Sequence, residues 1–415
     1  MLSASECDTI VRQVIDGDYK ILDHEFTKAC GGSGFLGDPS FLTIRYKKKH
    51  TLEKDQELCR DGDMSEKLEL SFFAKQMPKG NIQKEALVRR IGVFTKEAQL
   101  YKNVLQPMEK YIEPKIYPRY YYSRDDDMLV LENLAPFGFR TKEPAEPYEL
   151  DHCRAVVEAV ARFQAASVFF ESKVSTCFDK YVPQLMVETL FTNKKDHPSY
   201  KHIEVSIDAI KGIILEHFPQ LSDTVRDGVM EILRSTRRIC RPSRKFRNIL
   251  THGDLWSNNI LFSYDTSGKV KDVRLVDFQL VRYAPPAIDI LLFMHLTTTR
   301  QFRLDHESEL LDHYYETFKR SLHSYGISVD DVIPCLQFVS TVKSYRPTVL
   351  GIAALYLHYI LLPAEKIKHF MDDPEMYDRI VANNRRDLVS ECLRDYEYYR
   401  NRVLDSVLEI IESVN

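Results

Sequence analysis

The spacing of apolar residues changes several times along the chain, and those changes divide it. An amphipathic stretch from Ser3 to about Ile15 reads as a helix. Alternation of period two follows around Tyr19 to Ala29, Phe41 to Tyr46 and Leu68 to Lys75, which is the mark of half-buried strands. From about Lys84 to Tyr111 the period becomes helical, with Phe94, Leu100, Tyr101, Val104 and Leu105 on one stripe. Met128 to Glu132 returns to strand, after which Pro136, Gly138, Pro144 and Pro147 punctuate a connection. The boundary between two units falls there, giving residues 1–134 and 135–415. In the second unit, helix-length patterns cover Asp151 to Phe170, Tyr200 to Phe218, Ser222 to Cys240, Ser308 to Tyr325 and Leu388 to Val414. Short strands interrupt them at Asn248 to His252, Asn259 to Tyr264 and Val273 to Phe278. The pattern predicts an α+β protein with a small β-rich N-lobe and a larger, mainly helical C-lobe. A chain of 415 residues suits two lobes sharing one cleft.

Composition removes several classes of function. A formal net charge of −4 with interspersed signs gives no cationic face for a phosphate backbone, so nucleic acid is not an expected partner. The densest basic run, Arg45 to His50, precedes acidic residues from Glu53 to Glu57 and reads as a solvated strand end or loop. Eight cysteines lack Cys-x-x-Cys pairs and close Cys/His spacing, which disfavours zinc and a disulfide framework and predicts reduced thiols. No stretch approaches the roughly 20 apolar residues of a membrane span, and the acidic first 30 residues carry no apolar targeting core. The expected location is cytoplasmic.

Candidate chemistry sits in four places. Gly31 to Gly37 contains Gly-x-Gly-x-x-Gly as Gly32, Gly34 and Gly37, whose backbone can approach phosphates closely. Pro39 and a strand follow it instead of a helix, so the arrangement is that of a kinase loop or an ordinary hairpin turn. Lys75 closes an alternating strand and is placed to meet nucleotide phosphates, while Glu97 puts a carboxylate into an otherwise apolar helical stripe with Phe94 and Tyr101. A lysine partner would account for that glutamate. His252-Gly-Asp254-Leu-Trp-Ser-Asn-Asn259 has an aspartate and an asparagine five positions apart, the spacing of a base and a metal ligand in kinase catalytic loops. Val273 to Phe278 then ends a strand in Asp277-Phe278, where a second carboxylate would hold Mg²⁺ against ATP phosphates.

Taken in order, these residues resemble the choline kinase and aminoglycoside phosphotransferase superfamily, whose fold is similar to that of protein kinases. The chain is more closely similar to the ecdysteroid kinase-like (CHK kinase-like) family, through His252 to Phe262, Val276-Asp-Phe-Gln279, Leu131-Glu-Asn-Leu134 and Phe94-Thr-Lys-Glu97. The resemblance implies a protein-kinase-like fold that uses ATP and Mg²⁺. It further implies Lys75 on the nucleotide phosphates with Glu97 as its partner, and Leu131 to Leu134, with Glu132 and Leu134, as the adenine-side hinge. Asp254 becomes the catalytic base, Asn259 and Asp277 the metal ligands, and His252 and Asp289 structural supports, the bland alternative for Asp289 being a helix cap.

The implied acceptor is an alcohol on an apolar steroid, an ecdysteroid first. A choline or ethanolamine type of acceptor is the alternative, and no protein partner is identifiable. Two departures stand out. Pro39 removes a backbone donor from the glycine loop and keeps open a catalytically weak, nucleotide-binding regulator. Gln164 stands where the family commonly has histidine and reads as a packing difference. Gln279 in place of Asp-Phe-Gly's glycine, with Pro285 close behind, leaves no room for a peptide-docking segment and disfavours a protein kinase.

Overall fold

The computed structural model describes residues 2–29, 37–48, 67–78, 82–124 and 126–414. Gly32 and Gly34 lie outside the described residues. Five strands build one antiparallel sheet: β1 (Tyr19–Lys28), β2 (Asp38–Lys48), β3 (Leu68–Gln76), β4 (Tyr120–Arg124) and β5 (Met128–Glu132), in the order β1-β2-β3-β5-β4. Side chains alternate between its faces, so β5 sends Met128 and Val130 into a small core under the first helix and Leu129 and Leu131 into the main core. That first helix, Ala4–Val11, is fixed by a capping box in which Ser3 and Glu6 satisfy each other's backbone amides. It ends earlier than the apolar pattern predicts. Arg45 of β2 spans Asp23, Glu25 and Glu69 on the solvent side, which accounts for the start of the basic run.

The predicted helical stripe from Lys84 to Tyr111 is not one helix. It breaks at Gly92, whose φ of 76° separates Ile82–Ile91 from Val93–Leu100. The chain then widens into a π turn at Tyr101–Leu105, directly ahead of Pro107, which has no amide to give to the residue four positions back. β4 escapes the pattern because Tyr-Tyr-Tyr-Ser-Arg does not alternate. Further on, the continuous helix expected from Leu388 divides into Arg386–Asp395 and Glu397–Val414 at the extended residue Tyr396.

Beyond residue 134 the fold is helical around three small pairings. β6 (Arg140–Thr141), β8 (Ile260–Tyr264) and β9 (Val270–Leu275) form one sheet, and β7 (Ile249–Thr251) pairs with β10 (Arg282–Ala284). The Ala287–Thr297 helix is buried on every face, with Leu150–Val174, Arg300–Ser324 and Cys335–Ile360 packed around it. The whole is an α+β fold, a five-stranded antiparallel sheet followed by a mainly helical unit. Among the described residues no single helix is long and apolar enough to cross a membrane, and Cys7, Cys153, Cys177, Cys335 and Cys392 are free thiols.

One turn decides how the second unit presents its loop. Gly253 leaves β7 at φ 81°, and a Cβ there would lie 2.1 Å from the Leu280 carbonyl oxygen. Gly268, at φ 82° in the β8–β9 hairpin, faces open space. Gly253→Ala is therefore expected to destabilise the fold by about 3 kcal/mol, against about 1 kcal/mol for Gly268→Ala. Urea midpoints measure both, and equal losses would contradict the close approach.

Candidate functional site

Lys75 is the point where three segments meet. β3 carries it in register with Pro39 of β2 and Leu129 of β5. Its Nζ donates to Glu97 Oε2 at 2.7 Å and to Asp277 Oδ1 at 2.9 Å. Burial alone would lower the lysine's pKa, but the charges of Asp277 and Glu97 outweigh it and keep the ammonium protonated. Glu97 is fully enclosed, and burial drives it up to about 7 against the pull of Lys75. Gly37 lies so near the lysine stem that a Cβ there would meet Lys75 Cε at 2.8 Å. Pro39 opens β2 and its carbonyl accepts the Ala29 amide at 3.2 Å.

Asp277 follows β9 in the left-handed region, φ 66°, a strained setting for a residue with a Cβ. The next side chain holds it there. Phe278 is buried edge-on against Tyr101 and Tyr117, with ring centroids 5.8 and 5.7 Å away.

The loop after β7 is held from behind. Asp289 Oδ2 accepts the His252 amide at 2.7 Å and Oδ1 accepts the Gly253 amide at 2.9 Å. It sits in the first turn of the Ala287–Thr297 helix, yet its carboxylate caps the loop and not the helix. His252 accepts the Asp254 amide at Nδ1, 3.3 Å away, so Nε2 carries the proton and donates to the Val276 carbonyl at 3.0 Å. Burial lowers that imidazole to about 4 and keeps it neutral.

Gln164 does more than fill space. Its Nε2 donates to Asp289 Oδ2 at 3.0 Å, and Tyr314 donates its hydroxyl to Gln164 Oε1. The packing reading of Gln164 is thus corrected: a buried polar chain runs from Tyr314 to the loop amides.

Asp254 and Asn259 face each other at the front of this loop. Asn259 Nδ2 donates to the Asp254 backbone oxygen and to Oδ2, each at 2.8 Å. Asp254 Oδ1 is buried without a hydrogen-bond partner. Burial and the nearby charge of Asp277 raise this carboxyl to about 7.

A second charged cluster went unread in the sequence. Arg282 on β10 donates Nε to Glu188 Oε2 at 2.5 Å and a terminal nitrogen to the Gly253 carbonyl at 2.6 Å. Burial opposes ionisation of Glu188, but Arg282 and Lys96 hold it down at about 2. Lys96, the neighbour of Glu97, donates to the Val187 and Val281 carbonyls, both at 2.9 Å. The only sequence signal was a lysine inside an apolar helix; Glu188 and Arg282 carried none.

Gly37, Lys75, Glu97, Leu131, Glu132, Leu134, Asp254, Asn259 and Asp277 all line one cleft of about 1890 Å³. His252 and Asp289 lie behind its wall. At the end of β5, Glu132 exchanges backbone and side-chain hydrogen bonds with Arg119, and Asn133 accepts the Ala135 amide to start the turn away from the strand. The helical unit lines the cleft with apolar side chains, among them Ile203, Leu355, Tyr359, Leu362 and Val381, interspersed with charged ones such as Lys201, Glu365, Lys368 and Asp378. Asp277 and the Asn259 side-chain oxygen offer two hard donors beside each other's elements, the kind of partial shell that a Mg²⁺ ion completes with phosphate oxygens and water. Among the described residues no group of three His, Cys, Asp or Glu side chains forms a self-sufficient metal cage.

Among curated proteins none matches the chain. Solved structures similar to it include APH(2")-IIIa with GDP and kanamycin, at 13% identity and a TM-score of 0.36 over 95% of this chain and 100% of that one. Another is the ADP-bound aminoglycoside phosphotransferase APH(2'')-Ib, at 14% identity and a TM-score of 0.32 over 86% of this chain and 99% of that one. Scores this low carry no weight for the chemistry of this chain. The family model of the ecdysteroid kinase-like proteins matches residues 54–327, about two thirds of the sequence. The class this supports is a kinase-type enzyme, and the chain belongs to the ecdysteroid kinase-like family.

Proposed function

We propose that the protein is an ATP-dependent kinase that transfers the γ-phosphoryl group to a hydroxyl of a small, largely apolar alcohol. The observation that carries this reading is Lys75 paired to both Glu97 and Asp277, in a cleft that Asp254, with its Oδ1 unpaired, also lines. Residues 1–134 would serve as the nucleotide lobe, with Gly37 over the phosphates and Leu131 to Leu134 as the adenine-side hinge. Residues 135–415 would carry the catalytic loop and the acceptor pocket.

In this reading Lys75 fixes the phosphate tail, and Glu97 fixes Lys75. Asp277 and Asn259 would hold Mg²⁺, which supplies neutralising charge for the β and γ phosphates when bound. Asp254 orients the acceptor hydroxyl and takes its proton at Oδ1 as the acceptor oxygen bonds to the γ-phosphorus and the bridging bond to ADP breaks. Asn259 keeps the other carboxylate oxygen in place, so the free one faces the substrate. Asp289, through the His252 and Gly253 amides, positions the loop. It does not touch substrate.

The acceptor's character follows from the cleft wall. Apolar side chains of the helical unit, among them Ile203, Leu355, Leu362 and Val381, line part of the cleft, which suits a fused-ring apolar alcohol, an ecdysteroid or similar steroid. A choline-like cation would be drawn to aromatic faces and acids, and the cleft holds both, such as Tyr377, Tyr398, Glu365 and Asp372. Against it, His202 and Tyr359 stand beside the buried guanidinium of Arg385, whose donors go to imidazole, hydroxyl and carbonyl groups. That cation behind the wall favours a neutral acceptor.

Three outcomes are expected. Asp254→Asn lowers kcat by about 10³-fold while nucleotide affinity, read by calorimetry, stays within about threefold; retained turnover would reject the base. Asp289→Asn sets an NH2 donor against one of the two loop amides and costs about 3 kcal/mol in urea unfolding together with most of the turnover. Labelled ATP offered with ecdysteroids, other sterols, choline, ethanolamine and aminoglycosides labels the steroids, and transfer to amines alone would overturn the acceptor reading.

A further inference from the structure

The peptide unit that leads into Asp254 is gripped at both of its polar atoms. The Gly253 carbonyl accepts from a terminal nitrogen of Arg282 at 2.6 Å, and the Asp254 amide donates to His252 Nδ1 at 3.3 Å. A peptide unit is planar, so fixing its oxygen and its nitrogen fixes the direction in which Asp254 leaves it. Asp289 secures the same turn at the His252 and Gly253 amides, while Arg282 secures the carbonyl between Gly253 and Asp254.

Arg282 is itself immobilised. Its backbone lies on β10 opposite Thr251 of β7, whose hydroxyl donates to the Arg282 carbonyl at 3.1 Å. Its Nε donates to Glu188 Oε2 at 2.5 Å, and the other oxygen of that carboxylate accepts the Leu190 and Phe191 amides at 2.8 and 3.0 Å. Lys96 donates to the carbonyls of Val187 and Val281, the residues directly before Glu188 and Arg282. The Arg282 and Glu188 side chains are only 5% and 6% exposed. An enclosed ion pair adds little net stability, and apolar side chains of similar volume often serve as well. What apolar side chains lack is a planar fork that grips a carboxylate and a carbonyl at once.

We propose that Arg282 is a positioning residue for phosphoryl transfer: by holding the Gly253 carbonyl it sets the peptide plane from which Asp254 projects, with Glu188 and Lys96 keeping the guanidinium in that pose. Arg282 does not line the cleft and acts only through the loop. Lys96 also precedes Glu97, so one helix steadies both the Lys75 pair and the Arg282 fork, and the two sides of the site keep a common register. The inference rests on the kinase reading with Asp254 as base. Placement matters there because a displacement of about 1 Å between reacting groups costs about 100-fold in rate.

Two variants test the role. Arg282→Lys keeps a cation beside Glu188 and removes the fork, and Arg282→Met/Glu188→Gln removes both charges while the glutamine keeps an oxygen for the Leu190 and Phe191 amides. The control is Arg303→Lys, because Arg303 likewise grips a carboxylate, Glu409, and a carbonyl, Thr298, away from the cleft. The readouts are steady-state kinetics with Mg-ATP and ecdysone, and acrylamide quenching of Trp256, the chain's single tryptophan, buried two residues beyond Asp254. Both Arg282 variants should lower kcat by about 10- to 100-fold, with the KM for ATP within about threefold of wild type, and should open Trp256 to the quencher. Arg303→Lys should leave both readouts at wild-type values even where its urea midpoint falls as far. Turnover or quenching that stays at the wild-type value in a folded Arg282 variant overturns the proposal, as does an equal change in the control. If neither Arg282 variant folds while Arg303→Lys does, Arg282 serves stability and the positioning role is rejected. Where the wild type phosphorylates no alcohol the kinase reading fails, and the quenching of Trp256 alone decides whether Arg282 sets the loop.

Discussion

A single ammonium shared by two carboxylates organises this protein. Lys75 belongs to the sheet, Glu97 to a helix, and Asp277 to the turn that follows β9, so the charge they share joins three segments far apart in sequence. Removing any one member leaves a buried charge short of its partner, which is far costlier than an exposed pair would be. The packing of Phe278 and the left-handed turn at Asp277 are arranged to deliver that third carboxylate. The cleft exists where it does because the sheet and the helical unit are held to each other at that point.

Behind the cleft, a second arrangement is made of neutral and half-neutral groups. Tyr314, Gln164 and Asp289 form a chain ending on two loop amides, while burial raises Asp289 to about 6 and removes most of the charge on His252. The front of the site is charged and the back is hydrogen-bonded. This division keeps strong fields inside the cleft and uses directional bonds for alignment behind it.

Much of this was legible in the sequence, for identifiable reasons. Strand alternation and the fixed interval from Asp254 to Asn259 are local, so β3, β5 and the loop were readable without the fold. Glu97 was readable because a carboxylate within an apolar stripe demands a partner. What stayed hidden depends on contacts between distant segments. Gln164 looked like filling until Asp289 and Tyr314 were beside it, and Glu188 sits in an irregular stretch that no periodicity marks. The break at Gly92 and the π turn before Pro107 were lost because a continuous apolar stripe reads the same whether or not the backbone beneath it is interrupted.

The cluster of Lys96, Glu188 and Arg282 has an implication for how the molecule meets its surroundings. All three side chains are enclosed, beyond the reach of dissolved ions, whose screening acts over about 8 Å of open solvent at physiological strength and little within a dry interior. Raising the salt concentration therefore weakens the exposed pairs, such as Arg45 with its three acids. The alignment of helix, turn and loop around Asp254 is insulated from the same change, so salt acts on the outer surface of the sheet and leaves the internal order of the cleft intact.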